Sequence, residues 1–231
     1  MKKRAMILAA GLGTRLMPLT ANKPKALVEY NGKSLLEIVL RRLIHHGFRD
    51  VVINLHHYPD QIKSFLESKK FFGANVIFSD ESDELLDTGG GIRKALPLFE
   101  GDPVLIHNVD VYTDLNLDDL YNFHNDYEHL ASLAVKERTT TRPFLVNEDG
   151  ILCGWENVVS GEKRIVRNDI PLSQIAYSGI AVLSSEFIEL MPSTGCYSLT
   201  PELLNIAGKR DIHLFTHSGA WKDMGRPEAF E

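Results

Sequence analysis

The sequence has few cysteines, no long apolar stretch and no excess of positive charge. Cys153 and Cys196 are the only cysteines among its 231 residues, which excludes a disulfide framework and offers no pair with metal-ligand spacing. No stretch approaches the roughly 20 apolar residues of a membrane-spanning helix. The formal net charge of −6 argues against broad binding to nucleic acids or anionic membranes. We therefore expect a cytoplasmic protein with neither nucleic acid nor membrane as a partner.

Acidic residues are missing from the first segment of the chain. No Asp or Glu occurs from Met1 to Val28, whereas Arg15 and Lys25 lie in this segment among glycines and prolines. A cation fixed in such a stretch is typical of an anion-binding site. We predict that Arg15 and Lys25 contribute to one.

Apolar runs alternate with helical patterns through the first half of the chain. Hydrophobic residues make up 44% and charged residues 24%, the balance of a globular protein. The patterns predict strands at residues 5–9, 51–55, 75–78 and 104–107, and helices at 34–46, 60–66 and 91–96. Ser34 is the expected N-cap of the first helix. This alternation predicts an α/β fold with a parallel sheet and right-handed crossovers.

The second half of the chain has a different pattern. We predict helices at 117–124 and 201–207, strands at 130–136 and 175–183, and a β-hairpin at 144–155 that turns at 148–150. No linker, repeat or low-complexity segment interrupts the sequence. Residues 1–231 are therefore predicted to form one domain.

A glycine-rich segment at residues 9–15 follows the first predicted strand, where ligands bind in open parallel sheets. Gly11 and Gly13 let the backbone approach phosphate oxygens closely. A dinucleotide-binding fingerprint requires a third glycine, but Leu16 occupies that position, and the Gly-Lys-Ser/Thr of a Walker loop is absent. The segment is predicted to bind phosphate in some other way.

Lys25 and Asp110 are candidates by position. Lys25 follows Pro24, which stiffens the backbone before it. Asp110 comes after the fourth strand, where a carboxylate suits Mg²⁺ but equally suits the cap of a turn. Asp223 lies in the segment 221–227, where its position alone gives it no function.

Four motifs in order resemble the sugar-1-phosphate nucleotidylyltransferase family across nearly the whole chain. They are Gly11-Leu-Gly-Thr-Arg15 with Pro18-Leu-Thr20, Pro24-Lys25, Asn108-Val-Asp110, and Trp221-Lys-Asp223-Met-Gly225-Arg-Pro227. Val109 stands where the family usually has glycine. The segment 86–92 and the lack of a C-terminal hexapeptide repeat look most like the N-acetylmuramate 1-phosphate uridylyltransferases of cell-wall recycling.

The resemblance implies a fold and a division of the chain. The fold is a Rossmann-like three-layer αβα sandwich with a mostly parallel central sheet and a small β-rich sugar-binding insertion. Residues 1–115 would form the nucleotide-binding half, and residues 116–231 the sugar-binding half.

The resemblance also implies a reaction and a set of site residues. A nucleotidyl group, with UTP as the favoured donor, would pass to a sugar 1-phosphate with Mg²⁺ as cofactor. The catalytic residues would be Arg15, on the departing pyrophosphate, and Lys25, between the two phosphates. Asp110 and Asp223 would bind Mg²⁺, and Gly179 and Glu162 would contact the sugar. The nucleotide would be held by Leu8, Ala9, Ala10, Gly11, Gly13, Thr14, Arg15, Thr88, Gly89 and Asn108.

Other activities remain open at this stage. A guanylyltransferase acting on mannose or heptose 1-phosphate needs a larger base pocket around residues 10–12 and Thr88. A choline-phosphate cytidylyltransferase would need aromatic or acidic residues for the quaternary amine. A non-catalytic nucleotide-sugar sensor would not need Arg15, Lys25, Asp110 and Asp223 together.

Overall fold

The computed structural model describes residues 2–230, which form an α/β domain. The α-helices within these residues are α1 (Leu35–His45), α2 (Pro59–Ser68), α3 (Asp87–Ala95), α4 (Leu117–Asp126), α5 (Ser185–Leu190) and α6 (Leu199–Ala207). Its strands are β1 (Arg4–Leu8), β2 (Glu29–Tyr30), β3 (Lys33–Ser34), β4 (Asp50–Leu55), β5 (Asn75–Asp80), β6 (Val104–Asn108), β7 (Val111–Thr113), β8 (Ala131–Lys136), β9 (Phe144–Val146), β10 (Leu152–Glu156), β11 (Lys163–Ile165), β12 (Ser173–Leu183), β13 (His213–Thr216) and β14 (Trp221–Asp223). No helix within residues 2–230 has the length and apolar content needed to cross a membrane.

The central sheet has a parallel part and an antiparallel part. Strands β5, β4, β1 and β6 lie side by side and run parallel. The long strand β12 runs antiparallel to β6 and also pairs with β8 and with β9. Strands β10 and β11 extend the sheet beyond β9 in a small β-rich extension. Because β12 belongs to both parts, it joins the parallel strands to this extension.

Helices cover both faces of the sheet, which gives the predicted three layers. In β1, Ala5 and Ile7 belong to one hydrophobic cluster with α1, α2 and α4. Met6 and Leu8 belong to a second cluster with α3, α5 and α6. Since alternate side chains of a strand point to opposite faces, a strand with both sets buried must lie in the middle of the fold.

The boundaries of most elements agree with the patterns in the sequence. Helix α1 begins after Ser34, whose Oγ accepts a hydrogen bond from Glu37 N at 3.1 Å, as predicted for an N-cap. The predicted hairpin is confirmed by the antiparallel pairing of β9 with β10. The start of α3 was predicted wrongly, because the helix begins at Asp87 and not near residue 91. Thr88 lies in the first turn of this helix, and its Oγ1 accepts a hydrogen bond from Leu199 N at 2.9 Å.

Three histidines surround Ser132 between α4, β8 and β13. His124 Nδ1 and His129 Nδ1 lie 3.2 Å and 3.1 Å from Ser132 Oγ. The rings of His129 and His213 stack with 3.6 Å between their centroids. Burial, with a smaller contribution from the neighbouring histidines, lowers the pKa of His124 and of His129 to about 4. Neutral imidazoles are therefore part of the packing at this place.

The free energy of unfolding is expected to fall as pH drops from 6.5 towards 4. In this range the unfolded chain binds more protons than the folded one, because the folded-state pKa values lie below the ordinary 6.5. The stabilisation is complete above pH 6.5 and is lost on acidification, by about 1.4 kcal/mol per pH unit for His124. Urea unfolding at several pH values measures this slope. His124→Gln should reduce it, whereas His45→Gln, at an exposed position, should not; equal slopes in both variants would contradict the assignment.

Candidate active site

The carboxyl ends of β1, β4 and β6 meet at a cavity of about 260 Å³. These strands are adjacent and parallel, so their ends and the loops that follow them lie at the same edge of the sheet. The cavity is lined by Leu8, Ala10, Gly11, Arg15, Lys25, Asn54, Leu85, Asp87, Thr88, Asn108 and Asp110.

The glycine-rich loop and the residues that follow it fold back so that Arg15 and Lys25 both reach the cavity. Gly13 has φ of +67°, in the left-handed region that favours glycine. A Cβ at this position would lie 3.0 Å from Cβ of Lys25 and 3.0 Å from Cγ2 of Thr20. Thr20 Oγ1 donates a hydrogen bond to Gly13 O at 2.9 Å. The close packing of these residues brings the Lys25 side chain beside Gly11.

Lys25 and Asp110 form an ion pair that is mostly shielded from solvent. Lys25 Nζ lies 2.8 Å from Asp110 Oδ2, and the two side chains are only 15% and 11% exposed. A pair in this environment is screened less by water and salt than a surface pair. Lys25 therefore has a fixed position in the cavity wall, with its charge balanced by Asp110.

Asp223 is brought to the same place by the pairing of β14 with β7. Asp223 pairs with Val111, and Met224 N donates a hydrogen bond to Asp110 O at 2.7 Å. A Cβ on Gly225 would lie 2.8 Å from Asp110 Oδ2, 2.9 Å from Asp223 Oδ1 and 3.0 Å from Arg15 Nη2. Two carboxylates and one guanidinium thus surround a single point that only a glycine leaves free.

The two carboxylates fit a divalent cation of the Mg²⁺ type. Mg²⁺ is commonly held by one or two carboxylates, with phosphate oxygens and water as the other ligands. Among residues 2–230, no group of three or more His, Cys, Asp and Glu side chains could hold a metal ion. Asp110 and Asp223 could hold such a cation if phosphate oxygens and water supplied its other ligands.

A buried hydrogen-bond network around Asn54 fixes the start of the glycine-rich loop. Asn54 Oδ1 accepts hydrogen bonds from Ala9 N at 2.7 Å and Ala10 N at 3.3 Å, and Asn54 Nδ2 donates to Glu81 Oε1 at 2.8 Å. Glu81 is 1% exposed, and burial raises the pKa of its carboxyl. Since two backbone N–H groups are held by Asn54, the loop enters the cavity in one defined conformation.

Residues 4–153 match the profile of a known family, described as nucleotidyl transferase. The matched region contains β1, the glycine-rich loop, Lys25 and Asp110. The chain belongs to the nucleotidyl transferase family. The resemblance inferred from the four motifs is thereby confirmed.

Relatives of the transferase share both its sequence and its fold. It is 31% identical over 227 residues to N-acetylmuramate alpha-1-phosphate uridylyltransferase from Neisseria meningitidis serogroup B, a match covering 96% of this chain and 93% of the relative. A protein of the same name from Caulobacter vibrioides is 44% identical over 110 residues, which are 47% of this chain and 46% of that relative. UDP-glucose pyrophosphorylase from Acinetobacter baumanii superposes with a TM-score of 0.80 at 18% identity, over 100% of this chain and 91% of that one. The last similarity shows that the predicted fold is correct.

Most of the residues predicted to bind the nucleotide lie at the cavity of the transferase. Leu8, Ala10, Gly11, Arg15, Thr88 and Asn108 line it. Ala9 is buried beneath them and donates its N–H to Asn54. Gly13 and Thr14 belong to the loop but are not lining residues.

Gly89 is not placed at the cavity. It is buried in α3, and its N–H donates to Tyr197 O at 2.9 Å. Its contact with the nucleotide stays a prediction.

The two residues predicted to contact the sugar lie in different places. Gly179 has φ of +75° at an irregularity in β12, and a Cβ there would lie 2.9 Å from Val111 Cγ2 and 3.0 Å from Asn108 Nδ2. It therefore lies beside residues on either side of Asp110. Glu162 instead lines a second cavity of about 490 Å³, between the β9–β12 region and the start of α6.

Sequence reasoning missed Asn54, Glu81, Leu85 and Asp87. Asn54 is recognisable afterwards, because it lies near the carboxyl end of β4, next to β1. Leu85 immediately precedes the segment 86–92 that the family resemblance singled out, and Asp87 lies within it, although neither was given a role. Glu81 has no local signal, since its partner Asn54 belongs to a different part of the chain.

Gly225→Ala should abolish most of the nucleotidyl transfer without unfolding the protein. The new methyl group would press on both aspartates and on Arg15, so kcat should fall by at least about tenfold, which corresponds to about 1.4 kcal/mol. Steady-state kinetics and thermal unfolding measure the two effects.

Gly208→Ala is the matched control for this substitution. Its new Cβ would meet its neighbours at an ordinary 3.7 Å, so activity and Tm should both stay close to wild type. Normal kcat in Gly225→Ala would show that the three side chains do not need the space above Gly225.

Proposed function

We propose that this transferase moves a uridylyl group from UTP to a sugar 1-phosphate, with N-acetylmuramate 1-phosphate as the favoured acceptor, and releases pyrophosphate. The observation that carries the proposal is the convergence of Arg15, Asp110 and Asp223 around Gly225, with Lys25 paired to Asp110. The choice of UTP and of the acceptor is supported by the names of the uridylyltransferase relatives.

The reaction requires positioning and charge neutralisation more than acid–base catalysis. A phosphate monoester is largely dianionic at neutral pH and is itself the nucleophile. One of its oxygens attacks the α-phosphorus of the nucleotide. As that bond forms, the bond from the α-phosphorus to the bridging oxygen breaks, and the electron pair leaves with pyrophosphate.

The side chains at the cavity match the charges that this reaction brings together. Lys25 would lie between the attacking phosphate and the α-phosphate, where it offsets the repulsion of two anions. Arg15 offers a planar set of donors for the negative charge that develops on pyrophosphate. Asp110 and Asp223 would hold Mg²⁺, which when bound neutralises phosphate charge.

The two cavities divide the substrates between them in this proposal. The loop at residues 9–15, together with Thr88 and Asn108, would hold the nucleotide. The sugar would extend past Gly179 into the second cavity, which Glu162 lines. Thr88 connects the two places, because its Oγ1 binds Leu199 N at the start of α6.

A cytoplasmic location belongs to the same proposal. Cys153 is buried and Cys196 is exposed, and neither forms a disulfide. Free thiols are typical of proteins in reducing compartments.

A matrix of nucleoside triphosphates against sugar 1-phosphates tests the reaction. With Mg²⁺, pyrophosphate release should be fastest for UTP with N-acetylmuramate 1-phosphate, by at least about tenfold in kcat/KM over other pairs, a difference of about 1.4 kcal/mol. A preference for GTP with a hexose phosphate would replace the uridylyl assignment. Release with no pair would contradict the proposed function and favour a nucleotide-sugar sensor.

Asp110→Asn and Asp223→Asn should each lower kcat by about a thousandfold or more, because the cation loses a charged ligand while side-chain size is kept. The midpoint of the Mg²⁺ titration should rise in both variants. Asp126→Asn, at an exposed position at the end of α4, is the control and should behave as wild type. Full activity with an unchanged Mg²⁺ midpoint in both site variants would refute the metal assignment.

A further inference from the structure

The second cavity combines aromatic side chains with an excess of positive charge. Phe144, Trp155 and Tyr177 supply an apolar surface, and the rings of Phe144 and Tyr177 lie 5.7 Å apart. Three arginines, Arg138, Arg142 and Arg164, also line it. Their only acidic neighbour in the lining is Glu162. Three cations and one anion in a cavity of a protein with net charge −6 point to an anionic ligand.

The hydrogen bonds of these arginines go to neutral groups. Arg164 Nη2 donates to the neutral Asn205 Oδ1 at 2.6 Å, and Arg138 Nη2 donates to Tyr177 O at 2.8 Å. Within residues 2–230, none of the three arginines has a salt bridge. Some other arginines do form salt bridges, as Arg210 does with Glu186 at 2.8 Å.

Arg138 is partly removed from water as well. Its guanidinium stacks on Trp221 with 3.7 Å to the ring centroid, and its buried Nε has no partner among the described residues. Burial lowers the pKa of Arg138, while the nearby Asp223 acts in the opposite direction. A desolvated cation is costly unless an anion accompanies it, so a negatively charged ligand would recover this cost.

This cavity adjoins the site of phosphate chemistry. Trp221, beneath Arg138, precedes Asp223 by two residues in β14. Ser198 and Thr200 line the cavity on either side of Leu199, whose N–H binds Thr88 of the nucleotide cavity. A sugar whose 1-phosphate lies at Lys25 would therefore have its ring directed towards the arginines.

We propose that Arg138, Arg142 and Arg164 recognise a carboxylate on the acceptor sugar, so that the enzyme selects acidic sugar 1-phosphates over neutral ones with the same ring. The inference rests on the proposed function and specifies its substrate class. Guanidinium groups bind carboxylates through paired, charge-assisted hydrogen bonds, which are about twice as strong as neutral ones. A neutral sugar hydroxyl at this place would accept only a weaker hydrogen bond from a guanidinium group.

The test compares three acceptors that differ at one substituent. N-acetylmuramate 1-phosphate carries a lactyl carboxylate, its carboxamide has the same size without the charge, and N-acetylglucosamine 1-phosphate lacks the group. Wild-type kcat/KM should be at least about a hundredfold higher for the carboxylate than for the carboxamide, about 2.7 kcal/mol.

Arg142→Gln and Arg164→Gln, at exposed positions, should each lower that ratio about tenfold and leave kcat/KM for the carboxamide nearly unchanged. Arg210→Gln, which removes an exposed arginine outside the cavity, should keep the wild-type ratio. Equal use of carboxylate and carboxamide by the wild type, or equal loss for both acceptors in the variants, would overturn the inference and leave the proposed function intact. Absence of pyrophosphate release with every acceptor would instead overturn the proposed function.

Discussion

The pairing of β14 with β7 is the contact on which the arrangement of the active site depends. It is short, with only Trp221, Lys222 and Asp223 pairing with Thr113, Tyr112 and Val111. A hydrogen bond reinforces it at each end. Met224 N donates to Asp110 O at 2.7 Å, and Thr113 Oγ1 donates to Ala220 O at 2.7 Å. Without this ladder, the aspartate near the end of the chain would have no fixed relation to the one that follows β6.

Placing two carboxylates side by side costs electrostatic energy, which nearby cations offset. Lys25 pairs with Asp110 at 2.8 Å, and Arg15 Nη2 lies beside the space that both aspartates face. In the proposed reaction, the same four groups meet a divalent cation and several phosphates. The divalent cation would then offset the negative charge of the two aspartates, and Lys25 and Arg15 would be available to bind the phosphate oxygens. One set of charges thus serves the folded protein and, in this proposal, its substrates.

The sequence predicts a helix or strand well where the spacing of apolar residues along the chain determines it. The spacing of Leu36, Val39, Leu40 and Leu43 defines α1, and the run after Arg4 defines β1. The association of Asp110 with Asp223 came only from the resemblance to a family, because no spacing relates residues so far apart. The hydrogen bond between Asn54 and Glu81 was not predicted, for the same reason. Its two residues become neighbours only when β4 and β5 pair.

The error at α3 shows how packing can override helix propensity. Three consecutive glycines disfavour a helix, which made a start near residue 91 reasonable. Yet a Cβ on Gly89 would lie 2.5 Å from the Tyr197 ring, and one on Gly91 would lie 2.6 Å from Glu81 Oε1. The helix therefore needs glycines so that the chain before α6 and the buried Glu81 can approach it closely. Thr88 belongs to α3, lines the first cavity and accepts a hydrogen bond from Leu199 N of α6. The close approach of these elements therefore also holds the first cavity beside the second one. The glycines that weaken α3 as a helix are what allow the two cavities to adjoin.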